Sequence, residues 1–360
     1  MGITEPPADE IYFYKRGKEC DNRSVRQCGF RSTPEKERYI MLHEVSFRSY
    51  NERDDVQGWV YVPAAEPLGI VQLVHGYGEH SRRYLHMIVS LMDAGYIVAA
   101  DDHVGHGKTA MMNDTWGDWG DKGWHTMMED EHTLTTLVKE MYPELPYFMF
   151  GHSMGSFIAR DYITKYGDEL AGVILCGTTG VFPHVEEGIA MLEKEVEAGK
   201  GTEPAGEAVG VVLGWMFGRC PEGAELGNEW ICDDPAVQYD HAHDPFDAFT
   251  KPTSNRSFLY FCQMMTGITG EEWAKKVPTD LPIYNIAGDQ DPVGQYGTGV
   301  YQVSNWLIDT GHDVTTQLYP GYRHEIHNYE DIKFDVEEGI AEFLESVLDL
   351  DEDDFDDDEE

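Results

Sequence analysis

A chain of 360 residues with 41% hydrophobic and 12% aromatic side chains has the material for a large buried core, which excludes global disorder. Its 67 acidic against 26 basic residues give a formal charge of −41, and even without the nine acidic residues between Asp351 and Glu360 the charge is −32. That balance argues against nucleic acid or an anionic membrane as the main partner, because each phosphate contact needs a cation.

From the N-terminus, residues 1–38 read as an extension with neither the basic nor the apolar region of an export signal. No apolar run approaches the ~18 residues of a spanning helix. The six cysteines (Cys20, Cys28, Cys176, Cys220, Cys232 and Cys262) are scattered without a C-x-x-C pair, so they read as reduced thiols in a cytoplasmic protein. Residues 41–47 and 58–62 flank a polar turn and predict an antiparallel hairpin. Further short β-branched or aromatic runs follow at 70–74, 96–100, 147–150, 172–176, 283–286 and 314–318. Between them lie helix-period segments at 82–93, 129–141, 154–166 and 297–310, and a last one at 331–348 carries Ile332, Val336, Ile340, Phe343 and Val347 on one face. This alternation predicts an α/β fold with an eight-stranded, mostly parallel sheet flanked by helices.

The pattern breaks between 181 and 276. The core is therefore expected at 39–180 and 277–348, with 181–276 inserted as a cap over the C-terminal edge of the strands, where open α/β sheets bind ligands. The large apolar residues of the insert, Trp215, Phe217, Phe258, Phe261 and Met265, either line a substrate pocket or form a private core; the sequence leaves both open. Residues 349–360 read as a disordered acidic tail.

The chemistry-bearing signal is Gly151-His152-Ser153-Met154-Gly155, a G-x-S-x-G directly after an apolar strand and before a helix. The glycines permit a sharp turn that exposes the serine hydroxyl at the helix N-terminus. A serine needs a base and an orienting acid, and both follow in the order this turn requires: Asp291 after the strand at 283–286, then His324 after the strand at 314–318. Asp291 is preferred to Asp289 because Pro292 fixes the chain as it leaves the loop, and His324 to His327 because the Pro320-Gly321 turn delivers it first to the sheet edge. His327 is then expected behind the site or at the surface. Backbone N–H groups for an oxyanion are expected from Met154 and from Tyr77, in the Gly-bounded loop after the third strand, with His75 as a buried histidine pinning that loop. Glu79, Arg82 and Arg83 read as a solvated or helix-starting segment.

Five ordered segments, His75-Gly-Tyr-Gly-Glu-His-Ser-Arg-Arg-Tyr84, Asp102-His-Val-Gly-His-Gly107, Gly151-His-Ser-Met-Gly155, Gly288-Asp-Gln-Asp-Pro-Val-Gly294 and Gly321-Tyr-Arg-His-Glu325, resemble the motifs of the monoacylglycerol lipase and lysophospholipase group of α/β-hydrolases, also called serine aminopeptidase-like. The resemblance spans roughly 39–348. Val104 stands where an Arg is common, and 292–294 look like bacterial members. It implies catalytic roles for Ser153, Asp291 and His324, oxyanion donors at Tyr77 and Met154, and a cap that shapes an acyl pocket. The expected activity is hydrolysis of carboxylic esters, monoacylglycerol- or lysophospholipid-like, through an acyl-enzyme. An acyltransferase using the same triad and a non-catalytic ligand-binding member of the fold are the alternatives. No G-x-G-x-x-G opens a βαβ unit, so no cofactor is expected. Tyr239-Asp-His-Ala-His-Asp244 has no companion cluster at ligand spacing, and Asp102, His103 and His106, with glycines between them, read as a tight turn after a strand, so no metal is expected either.

Overall fold

The computed structural model describes residues 41–220, 224–247 and 251–356, so the N-terminal extension, with Cys20 and Cys28, lies outside the described residues. Eight strands form one sheet: β1 (Leu42–Arg48), β2 (Asp55–Tyr61), β3 (Gly69–Val74), β4 (Tyr96–Asp102), β5 (Tyr147–His152), β6 (Gly172–Cys176), β7 (Ile283–Gly288) and β8 (Val314–Tyr319), in spatial order β1-β2-β4-β3-β5-β6-β7-β8. The predicted hairpin is present, with β1 antiparallel to β2 and β2 antiparallel to β4. From β4 and β3 through β8 every pairing is parallel.

Position in the sheet explains the residue patterns. β3 and β5 are covered on both faces, so Ile70, Val71, Leu73, Val74, Phe148, Met149 and Phe150 are all fully buried in near-continuous apolar runs. β8 lies at the edge and alternates half-buried and exposed positions from Val314 to Leu318. The helices on the sheet are α1 (Leu85–Asp93), α2 (Gly107–Asn113), α3 (Thr126–Met141), α4 (Met154–Tyr166), α10 (Thr298–Asp309) and α11 (Lys333–Asp356). α11 buries Val336, Ile340, Leu344 and Val347, and its half-buried Phe343 stacks on Tyr284 at 5.4 Å.

Two local readings are corrected. The helix expected from residue 82 opens as a 3-10 turn (Ser81–Tyr84), because Asp102 at the end of β4 accepts the Ser81 N–H at 3.0 Å and its hydroxyl at 2.7 Å. The same carboxylate accepts the Lys108 N–H at 2.6 Å near the start of α2, a helix absent from the sequence reading. At the other end of the chain, α11 continues to Asp356, so the first part of the segment read as a disordered tail is helical; neither Gly nor Pro follows Leu348 to stop it.

Between β6 and β7 the chain makes α5 (Val185–Glu197), α6 (Gly206–Phe217), α7 (Pro235–His243), α8 (Asn255–Gly267) and α9 (Glu271–Ala274). α5 packs against α6 and α8, and α8 packs against α4. Ile40–Glu360 forms one compact unit, so these helices share the body of the sheet. Among the described residues no helix is long and apolar enough to cross a membrane.

Candidate active site

β5 ends at His152 and α4 begins at Met154, leaving Ser153 alone at the bend with φ 53° and ψ −120°. A non-glycine residue adopts that backbone only where its surroundings enforce it. Here they do: the Ser153 N–H donates to the Cys176 carbonyl at 2.9 Å, and its own carbonyl accepts the Ser156 N–H at 2.9 Å. The flanking glycines are required by contact. A Cβ on Gly155 would lie 2.0 Å from the Val74 carbonyl oxygen, and one on Gly151 would lie 2.4 Å from the Gly155 oxygen.

Asp291 and His324 come together across the ends of β7 and β8. Asp291 is fully buried; its Oδ1 accepts the Val293 N–H at 2.8 Å and its Oδ2 accepts from His324 Nδ1 at 2.9 Å. Donation through Nδ1 leaves the lone pair of the imidazole on Nε2. Burial acts to lower the His324 pKa, and the charge and hydrogen bond of Asp291 outweigh it, so the net shift is upward. Room for the ring depends on Gly177, where a Cβ would stand 3.0 Å from His324 Cε1. Asp289 does different work, accepting the Gly321 N–H at 2.7 Å and so shaping the loop that carries His324. His327 is fully buried, not at the surface, and stacks on Tyr84 with ring centroids 4.7 Å apart.

The loop after β3 is pinned by His75, as its residue type led us to expect. The ring is fully buried; Nδ1 donates to the Gly76 carbonyl at 2.8 Å and Nε2 accepts the His103 N–H at 3.0 Å. Burial first, then the neighbouring His103 and His106, hold its pKa well below the ordinary histidine range, which keeps it neutral. Gly76 passes so close to the serine that a Cβ there would lie 3.1 Å from Ser153 Cβ. Tyr77 is therefore brought beside Ser153, while the Met154 amide belongs to the first turn of α4, whose N–H groups have no partner within the helix.

Glu79 and Arg83 are not solvated. Both are buried: Glu79 accepts the Gly76 N–H at 2.6 Å, and Arg83 bonds Glu79 at 2.8 Å and Glu325 at 2.7 and 2.9 Å. Burial favours the protonated acid at Glu325, and the Arg83 charge overrides it, holding that carboxyl well below the usual range. Arg82 is partly exposed and pairs with Asp102 at 2.7 Å. The i, i+4 spacing of Glu79 and Arg83 was the available signal; their partner Glu325 is adjacent to His324 and far away in the chain.

Ser153 and His324 open into one narrow cavity. Phe157, Phe182, Leu213, Met216, Phe261 and Val293 supply the apolar part of its lining, and Glu79, His152, His241 and Glu325 the polar part. Of the pocket residues expected in the insert, Phe261 lines the cavity. Phe258 and Met265 are buried in the core, away from the lining, and Trp215 packs its ring on Phe182 at 5.5 Å while its indole N–H donates to the Val212 carbonyl at 3.0 Å. The Phe217 side chain lies outside the described residues. α6 instead presents Leu213 and Met216, three apart on one face, and the segment before α7 adds Trp230, whose ring centroid is 5.3 Å from that of His324. This segment is bound to the histidine loop through the Glu325 N–H, which donates to the Ile231 carbonyl at 2.9 Å, and through Arg323, which donates to the Glu229 carbonyl. The ligand-rich stretch 239–244 does not converge: His241 faces the cavity, Asp244 pairs with His80 at 2.9 Å, and His243 stacks on Tyr239 at 3.9 Å.

Residues 65–331 match the family model described as serine aminopeptidase, S33. The chain belongs to this family. A thermostable carboxyl esterase from Bacillus coagulans, solved in complex with glycerol, is 57% identical to this chain with a TM-score of 0.84, over 86% of this chain and 99% of that one. A lipase in an open form is 39% identical with a TM-score of 0.81, over 85% and 99%. The monoacylglycerol lipase of Mycolicibacterium smegmatis is 28% identical over 274 residues, 75% of this chain and 85% of that one. The α/β-hydrolase fold and the group resemblance read from the motifs are borne out by these relatives and by the sheet order.

Proposed function

We propose that this serine aminopeptidase-family chain hydrolyses carboxylic esters with a medium or long acyl chain and a small uncharged polar head, monoacylglycerol-like, through an acyl-enzyme on Ser153. The observation that carries this reading is a buried Asp291–His324 pair at 2.9 Å opening into the same cavity as a serine held at φ 53°. His324 Nε2 takes the Ser153 proton as Oγ attacks the ester carbonyl, Asp291 stabilises the imidazolium, and the Tyr77 and Met154 N–H groups bind the oxyanion. The histidine then gives its proton to the leaving alcohol, and the same base activates water to release the acid. The carboxyl esterase and lipases among the relatives support ester chemistry. The apolar lining suits an acyl chain, at ~25 cal/mol per Å² buried. The buried Glu79–Arg83–Glu325 cluster beside the cavity carries two negative charges against one positive, which disfavours the phosphate of a lysophospholipid. We place the cap at 181–276, since Phe182, Leu213, Met216, Trp230, Ile231 and Phe261 all come from it.

The direct test is a serine-directed fluorophosphonate: it should label the wild-type chain and not Ser153→Ala, and equal labelling of both removes the reading. Product analysis of decanoyl glycerol turnover with a competing alcohol present separates hydrolysis from acyl transfer, with free decanoic acid as the expected main product.

Acyl recognition predicts a selective effect. Leu213→Trp should raise KM for a p-nitrophenyl decanoate about tenfold or more and leave the acetate nearly unchanged, because only the long chain reaches α6. Equal losses on both esters, with an unchanged melting temperature, would place the acyl chain elsewhere.

The pH profile follows from His324. Only its neutral form acts as base, and its pKa is raised above 6.5 by Asp291, so kcat/KM should climb with pH along a limb whose midpoint lies above 6.5. Loss of the carboxylate in Asp291→Asn removes the raising cause and should move the residual limb to lower pH. A wild-type midpoint at or below 6.5 would contradict the assignment.

A further inference from the structure

Beneath the loop that carries Tyr77, three side chains converge that the proposed reaction does not use. Asp101 in β4, His103 just after it and Glu131 in α3 are fully buried. His103 Nδ1 stands 3.5 Å from Asp101 Oδ1 and 3.1 Å from Glu131 Oε1, and one ligand atom from each of the three lies within 4.8 Å of the others. None of these atoms, nor Asp101 Oδ2, makes a hydrogen bond. At 3.1 Å the Glu131 oxygen is near enough for one, so it stands off the axis of the ring nitrogen. Among the described residues no Lys or Arg pairs with either carboxylate.

From this arrangement we infer that Asp101, His103 and Glu131 form a binding site for one structural divalent cation of the zinc or manganese class. Off-axis placement is what chelation needs, because the metal occupies the lone-pair axis and the oxygens sit beside it. With metal–ligand bonds of about 2.0–2.2 Å, separations of 3.1 and 3.5 Å correspond to ligand–metal–ligand angles of about 90–120°. Asp101 brings two unbonded oxygens, so three residues supply up to four donor atoms. Two carboxylates and a neutral imidazole balance a divalent charge, whereas without a metal the one cation facing them is a protonated His103, which offsets a single carboxylate and leaves the other charge buried. The outer contacts orient the ligands as metal sites do: His103 Nε2–H donates to the His75 carbonyl at 3.1 Å, fixing the tautomer that leaves Nδ1 free, and the Gln72 amide donates to Glu131 Oε2. Gln72 is in turn set by Thr135 and Tyr147, which donate to its carbonyl at 2.9 and 2.5 Å. A metal here would join β4 to α3 and, through the His103 ring stacked on His75 at 3.8 Å, brace the loop that carries Tyr77.

The test uses the full chain. It is unfolded in guanidinium, refolded with zinc, with manganese or with dipicolinate, passed through gel filtration, and assayed by plasma mass spectrometry and thermal melting. One equivalent of zinc or manganese should remain per chain, and refolding with the chelator should lower the melting temperature by several degrees, since a ligand bound only by the folded state stabilises it. Glu131→Gln and the Asp101→Asn/Glu131→Gln pair keep the side-chain shapes while removing charge; they should retain no stoichiometric metal and melt at the same temperature with or without chelator. Substoichiometric metal in the wild type, equal retention by the variants through the acidic surface, or a melting temperature indifferent to chelator would each overturn the proposal. If the variants do not fold, the wild-type refolding series alone decides.

Discussion

Replacing Ser153 by alanine should lower kcat for p-nitrophenyl esters by about 10⁴–10⁶-fold while leaving the fold intact. Both halves of that expectation come from the bend. The strained backbone at φ 53° is enforced by the Ser153 N–H bond to Cys176 and by the contacts of Gly151 and Gly155, none of which involves the serine side chain. The hydroxyl makes no core contact whose loss would loosen the sheet, so the melting temperature should change by no more than a degree or two, as for a surface substitution. Kinetics and thermal melting on the same preparation check the claim. Retention of more than a few per cent of the activity, with the variant shown homogeneous by mass, would remove Ser153 as nucleophile.

The second large effect is expected at Asp291. In Asp291→Asn the amide has nearly the volume of the carboxylate, so the buried site need not collapse, but it loses the charge that stabilises the imidazolium and can donate to Nδ1, which favours the tautomer with the proton on Nε2. A fall in kcat of about 10⁴-fold is expected, with KM little changed. Asp289→Asn should cost far less, because Asp289 reaches the histidine only through the backbone of Gly321, and an asparagine side-chain oxygen can still accept that N–H. The reverse ranking would move the acid to Asp289.

How much of this was legible in the chain depended on how local its cause is. The strands were readable because burial on both faces forces unbroken apolar runs in β3 and β5, and the order of serine, acid and base was readable because each follows the C-terminal end of a strand. α2 was not, because its start is stabilised by Asp102 from another element and the helix is short. The insert misled in a different way. Its apolar residues divide between cavity and core according to which side of α6 and α8 meets the sheet, so Phe261 reaches the cavity while Phe258, on the same helix, does not. Glu79 and Arg83 looked solvated because a charged residue is read as exposed until its partner is known, and that partner, Glu325, lay at the far end of the chain. The same distance hid the convergence of Asp101 and His103 with Glu131.

The two bonds that join 229–231 to 323–325 bear on how such proteins diversify. A cap inserted between two strands invites exchange as a module, with a new insert conferring a new acyl preference on an unchanged sheet. Here the portion around Trp230 is also the outer support of His324, so a transplanted insert that omits it would deliver new specificity together with a misplaced base. The unit of exchange is therefore smaller than the insert. Residues 181–217 and α8 can vary to reshape the apolar lining, whereas 228–232 and the turn at 320–325 have to be inherited as a matched pair.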